Sequence, residues 1–438
     1  MFETSWARGW VLATFVGLGA CGGELELEEE LGSELELEFH TSESGLCSAV
    51  SPARELMIRH LAVVNDPVRT RWTGSLADAS DGAWHFGRLM TQMAPPGANA
   101  SDFVLAWLRQ FATNRTINGQ TVPARPAINQ LISDWPKLAN GKLDLTRAPL
   151  RLLAIVNRMD LRNLAQGRAG EGRFVFGVLD AAGNPQQFTV ILEYNLPATT
   201  QAQLTAWANR WHDLGALGAS TAAYRTALQA VTDRFARRNA QPTRPNGSAI
   251  SQVRTNEIAL AAPWELREFR LNANGALVEV TTALTPRDAL NGSAVLRDFI
   301  NQNANAIVNN RHGVPLSIGA TPFRAAASQN NIDFWNAPGI SNANARHVFS
   351  LNTCDGCHGA ETATGFLQIQ PRVANQVSAL AGFLTGITVA DPVTGTNRTF
   401  NDLGRRATDL RSLVCPTVAP ATLGSEADLE APLGTRVH

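Results

Sequence analysis

Apolar and polar residues alternate in three different rhythms along the chain. Residues 24–38, ELELEEELGSELELE, alternate Glu and Leu. That period suits a strand, but the like charges repel and no apolar partner face follows, so the pattern predicts a solvated acidic tether. Between residues 47 and 147 the period is mostly helical, with irregular breaks. Ser101 can cap a helix running to residue 114, whose Phe103, Leu105, Trp107, Leu108 and Phe111 form a broad apolar side. Pro95 and Pro96 stop any longer helix before it. Residues 150–156 are a nearly continuous apolar run, the mark of a buried strand. Residues 174–179 and 188–194 flank the turn sequence Ala181-Ala182-Gly183-Asn184-Pro185 and predict a hairpin. A second hairpin follows at 264–271 and 277–280, joined by Asn272-Ala273-Asn274-Gly275. Helical periods fill residues 201–214, 221–238, 287–310 and 374–384. Helices flanking a run of hairpins predict an α+β fold: a mixed or antiparallel sheet with helices against it.

The chain has 438 residues, enough for one large or two ordinary domains. The expected organisation is a leader over residues 1–20, the tether over 21–45, an α+β globular region over 46–345, a mainly helical or irregular segment over 346–415, and a loose tail over 416–438. Apolar content of 44% is ordinary for a globular core. A net charge of −1 gives no reason to expect nucleic acid or a generally anionic surface as partner. The tryptophans fall mostly within apolar patterns and read as core. Asp160 and Arg162, just past the first strand, read as a structural ion pair. No Walker loop, HExxH or GxSxG occurs, and no catalytic acid or base can be nominated.

The chemistry concentrates in Cys354-Asp355-Gly356-Cys357-His358. Thiols three apart followed directly by histidine form the attachment pattern for c-type haem. On one helical turn Cys354 and Cys357 are i,i+3 neighbours and His358 is i+4 from Cys354, so all three share a face. Each thiol can then add across a vinyl group of one porphyrin edge, while the imidazole reaches the iron. Two other readings stay open: a CxxC disulfide beside an incidental histidine, and a zinc site, which needs ligands from elsewhere.

The six residues Cys354 to Gly359 resemble the attachment turn of class I c-type cytochromes. The resemblance covers about ten residues and implies haem c with iron held by His358 as proximal ligand. It also implies a later proline carbonyl that orients the histidine, for which Pro371 is placed. It fails at the methionine ligand, since no methionine follows Met159. A sixth ligand would have to come from His85, His212, His312 or His347, or be water.

Leu18-Gly19-Ala20-Cys21, after a short apolar run, resembles the lipobox of bacterial lipoproteins, with Cys21 the lipidated residue. The run is too short to span a bilayer. As a whole the chain resembles uncharacterised bacterial lipoproteins with one CxxCH near the C-terminus. That resemblance implies an envelope location and the motif, and carries no established activity. Gly22 and Gly23, rather than Asp, follow Cys21, which by analogy with other lipoproteins favours an outer-membrane anchor, and a haem would call for a redox partner protein. Cys47 and Cys415, near the two ends of the folded region, can pair in an oxidising compartment. The functional expectation is a monohaem electron-transfer lipoprotein. The alternatives are a haem-free surface-binding or structural lipoprotein with a CxxC disulfide, and a haem enzyme with an open sixth position.

Overall fold

A computed structural model describes residues 48–329 and 333–415. The leader, the tether, Cys21, Cys47 and the tail after residue 415 lie outside the described residues. The fold is α+β. Its centre is an eight-stranded sheet: β1 (Met57–Ile58), β2 (Leu150–Arg158), β3 (Arg168–Leu179), β4 (Pro185–Pro197), β5 (Ile250–Glu257), β6 (Glu265–Leu271), β7 (Leu277–Val280) and β8 (Ser328–Gln329). The order is β1-β2-β3-β4-β5-β6-β8, with β7 also on β6, and every pairing is antiparallel.

Both expected hairpins are present, and the first is longer than its apolar core implies, with Leu179 facing Pro185. β5 was not legible as a strand. Its sequence, ISQVRTNE, is polar at all but Ile250 and Val253, yet nearly all of it is buried. The register explains why. Ile155, Phe174, Leu192, Val253 and Phe269 line up across β2 to β6 on one face. The other face carries Arg173, Glu193, Arg254 and Glu268, also buried. Glu193 sits 3.3 Å from Arg173 and 3.5 Å from Arg254, which in turn lies 3.3 Å from Glu268. The sheet therefore has an apolar side and a salt-bridged side, neither facing water.

Helices α1 (Phe86–Met93), α2 (Ala100–Leu108), α3 (Gln201–His212) and α4 (Ala222–Ala236) supply side chains to the apolar side. Phe86 meets Phe176 edge-on at 5.5 Å, and Trp107 meets Phe269 edge-on at 5.9 Å. Each such buried ring contributes roughly 2–3 kcal/mol. α4 docks where β3 has no side chain: a Cβ on Gly172 would stand 2.4 Å from the Phe235 ring. Asn99, rather than Ser101, caps α2, because Ser101 gives its hydroxyl to the Leu143 carbonyl.

A second apolar cluster, around Phe299, Phe323, Trp335 and Phe349, is built from α5 (Ala294–Gln302) and α6 (Ala343–Leu351). The expected helix over 287–310 is broken, since Ser293 caps a fresh start and Asn303 closes it. The expected helix over 374–384 is absent apart from one turn, Gly382–Thr385. The Arg372 side chain takes the carbonyls of Val373, Ala374 and Gln376, so these cannot close a helical ladder. The single turn α7 (Cys354–Cys357) is followed, at the end of the described residues, by α8 (Asp402–Val414), a helix that the apolar pattern did not predict. No helix among the described residues is long and apolar enough to cross a membrane.

Candidate functional site

The Cys-X-X-Cys turn is built by its neighbours. Thr353 caps α7 by accepting the Gly356 N–H at 3.0 Å and gives its hydroxyl to the Ser350 carbonyl at 2.7 Å. Gly356 is dictated by the close approach of α6, because an added Cβ would fall 2.1 Å from the Ser350 carbonyl oxygen. The Cys354 N–H donates to Thr285 at 3.0 Å. Asp355 is fully buried and hydrogen-bonded to Ser328, and burial pushes its carboxyl well above the usual range.

The two thiols are free, so the structure does not contain the CxxC disulfide considered from the sequence. Both are fully buried, and burial raises both well above an ordinary cysteine. Gln368 donates to the Cys357 sulfur at 2.9 Å.

His358 is half-buried, and its ring stacks on Trp264 at 5.1 Å. Burial lowers the imidazole to about 4, so it is neutral at pH 7. Its Nδ1–H donates to the Phe366 carbonyl, which leaves the lone pair on Nε2. A metal-binding histidine held through its other nitrogen has this tautomer. The carbonyl was expected from Pro371. The loop instead folds back early, with Ala363 at φ 51° and Phe366 at φ 59°, and Pro371 packs near Gly177.

His358 borders a cleft between the salt-bridged sheet face and the loop after the turn. Val156, Val175, Ile191 and Leu266 give it an apolar floor, Arg158, Arg173, Arg254 and Arg406 surround this floor, and Gln368, Ile369 and Leu384 lie across it. The arginines are held by acids. Asp160 pairs with Arg158 at 2.9 Å and Arg405 at 2.8 Å, and Asp402 with Arg406 at 2.5 Å. Arg162 pairs with Asp409 at 2.6 Å, so Asp160 and Arg162 are structural ion pairs, but not with each other.

The donor set suits haem c: two unlinked thiols at i,i+3 and an imidazole with Nε2 unprotonated. The space does not. The cleft holds about 70 Å³, against roughly 300–1,000 Å³ for ordinary ligand pockets. A macrocycle enters only if residues 358–384 part from the sheet.

None of the expected sixth ligands borders the cleft. His85 caps α1, His212 bonds Glu55, His312 sits in the second apolar cluster against Phe349, and His347 bonds Glu361. Met57, an upstream thioether not considered from the sequence, does border it. Its strand is two residues long, too short to signal itself.

Sequence reading also missed the network beside the turn. Glu361, three residues past His358, bonds Arg346 and, at 2.6 Å, His347. Arg346 also reaches Asp391 at 2.8 Å, and Arg398 lies 3.4 Å from the same carboxylate. His347, Glu361 and Asp391 have metal-ligand spacing among the described residues, but these guanidinium groups already neutralise both acids. Cys415 is disulfide-bonded. No known protein family, curated protein or solved structure matches the chain.

Proposed function

We propose that the chain is an exported, lipid-anchored protein of the outer membrane that carries one covalent c-type haem and passes electrons to a partner protein in the envelope. The observation that carries this reading is the state of His358 beside two free thiols. The Phe366 carbonyl fixes the proton on Nδ1, and Nε2 is left as a ligand atom. Cys354 and Cys357 would tether the group, and His358 would be the proximal ligand. Bound haem supplies reversible one-electron chemistry at iron. The chain's own part is to hold the imidazole neutral by burial and oriented through the Phe366 carbonyl. Cys21 would carry the lipid, and Cys47 would pair with Cys415.

The cleft is too small for a porphyrin, so this reading requires that residues 358–384 part from the sheet to admit one. The test is an absorption spectrum of protein exported from a host with haem-ligation machinery. The expected result is a reduced α-band near ~550 nm that weakens in His358→Ala, while the haem stays covalently bound. A colourless protein with correctly folded secondary structure sinks the reading.

The cleft's small volume and the complete burial of both thiols favour a second reading, a haem-free lipoprotein in which Cys354 and Cys357 are core residues. It is favoured if the exported chain folds cooperatively with both thiols intact.

A further inference from the structure

A second and larger cavity, about 500 Å³, lies between the start of β2 and the loops carrying Asn65 to Arg71 and Ala374 to Asn375. That volume lies within the range of small-molecule sites. Val64, Leu152 and Phe176 give it apolar walls. Its charged groups have one sign. Arg71 and Arg151 line it, and neither enters an ion pair among the described residues. Arg372 lies behind them and spends its donors on neutral acceptors, among them the Leu152 and Val64 carbonyls and Asn65. Arg151 in turn donates to the Arg372 carbonyl at 2.7 Å. Among the described residues, no carboxylate lines this cavity to offset Arg71 and Arg151.

His85 adds a directed donor. Its Nδ1 accepts the Gly87 N–H at 3.1 Å, so the proton of the neutral ring sits on Nε2. Burial keeps the ring neutral, lowering it to about 4 although Asp81 and Asp144 are near. Those two acids are themselves occupied: Asp81 accepts from Thr73, and Asp144 from Thr146.

We propose that this cavity is a binding site for a small organic anion with an apolar body, an aromatic or branched carboxylate or sulfonate, whose charge meets Arg71 and Arg151 and whose body lies against Val64, Leu152 and Phe176. The site is separate from the cysteine turn and does not depend on haem.

The test uses the full-length protein and two fluorescent probes of nearly the same shape, anionic 8-anilinonaphthalene-1-sulfonate and uncharged N-phenyl-1-naphthylamine. The sulfonate is expected to bind one site at least about tenfold more tightly than the neutral probe, with an affinity that falls as salt rises. Benzoate should displace it. Arg71→Gln, at an exposed position, should weaken the sulfonate several-fold and leave the neutral probe unchanged. Ala148→Phe, which fills the cavity from its wall, should abolish both. Arg151→Gln is informative only if its melting temperature is retained; the other two variants keep the test decisive without it. Equal affinity for the two probes, or sulfonate binding indifferent to Arg71→Gln and Ala148→Phe, overturns the proposal.

Discussion

Single side chains here carry unusually large consequences, because so many charged and polar groups are buried. Asp160 is 1% exposed and is shared by Arg158 and Arg405, with Arg406 3.9 Å away. These guanidinium groups hold its carboxyl well below the usual carboxylate range. Asp160→Asn leaves buried cations without their counter-charge, and should cost about 3–5 kcal/mol in urea unfolding at pH 7. His312 shows the opposite case. Both ring nitrogens are buried with no hydrogen-bond partner, and burial lowers the group to about 4. The unfolded chain takes up a proton near pH ~6.5 and the folded one only near 4, so stability is complete above the first value and falls as pH drops toward the second. His312→Leu should remove that loss. Relative to wild type, it should gain up to roughly 3 kcal/mol between neutral pH and pH 4, seen in denaturation curves across that range. Wild type and variant with parallel pH profiles would contradict this.

At the scale of elements, the attachment turn is held by α6 and its cap. Thr353→Ala removes the acceptor for the Gly356 N–H and should cost about 1 kcal/mol. Gly356→Ala forces a methyl group to 2.1 Å from a carbonyl oxygen and should cost roughly 1–3 kcal/mol or more. In protein made without haem-ligation machinery, where both thiols stay free, both variants should speed the reaction of Cys354 and Cys357 with a thiol reagent, and the glycine variant more. Which elements were legible in the sequence follows from where their polar groups go. The hairpins and β2 announced themselves because one side of each is apolar. β5 did not, because Gln252 and Arg254 are buried against Glu193, and Asn256 against Trp264 and the Phe366 carbonyl, rather than facing water. The helix expected over 374–384 failed for a different reason: a single neighbouring side chain, Arg372, claims the backbone acceptors that the apolar period would assign to a helix. The site itself was legible as a motif. Its surroundings were not, since Phe366, Trp264, Glu361 and Met57 reach it through tertiary packing.

For the whole molecule, the salt-bridged sheet face is the organising feature. An apolar face would need only an apolar cover, whereas this one pairs its own charges across the strands, and α8 is tied to the end of β2 through the bridge from Arg405 to Asp160. The C-terminal segment should therefore unfold together with the sheet. Cys415 closes that segment through its disulfide, and Cys415→Ser should cost about 2–5 kcal/mol while keeping a single transition. Two separated transitions would show that the segment folds on its own. The central claim concerns what the two thiols become. It is tested most directly by the intact mass of the exported protein under denaturing, reducing conditions. The expected result is a chain heavier by one haem, with Cys354 and Cys357 resistant to alkylation. A chain at its unmodified mass, with both thiols open to alkylation once unfolded, would contradict it.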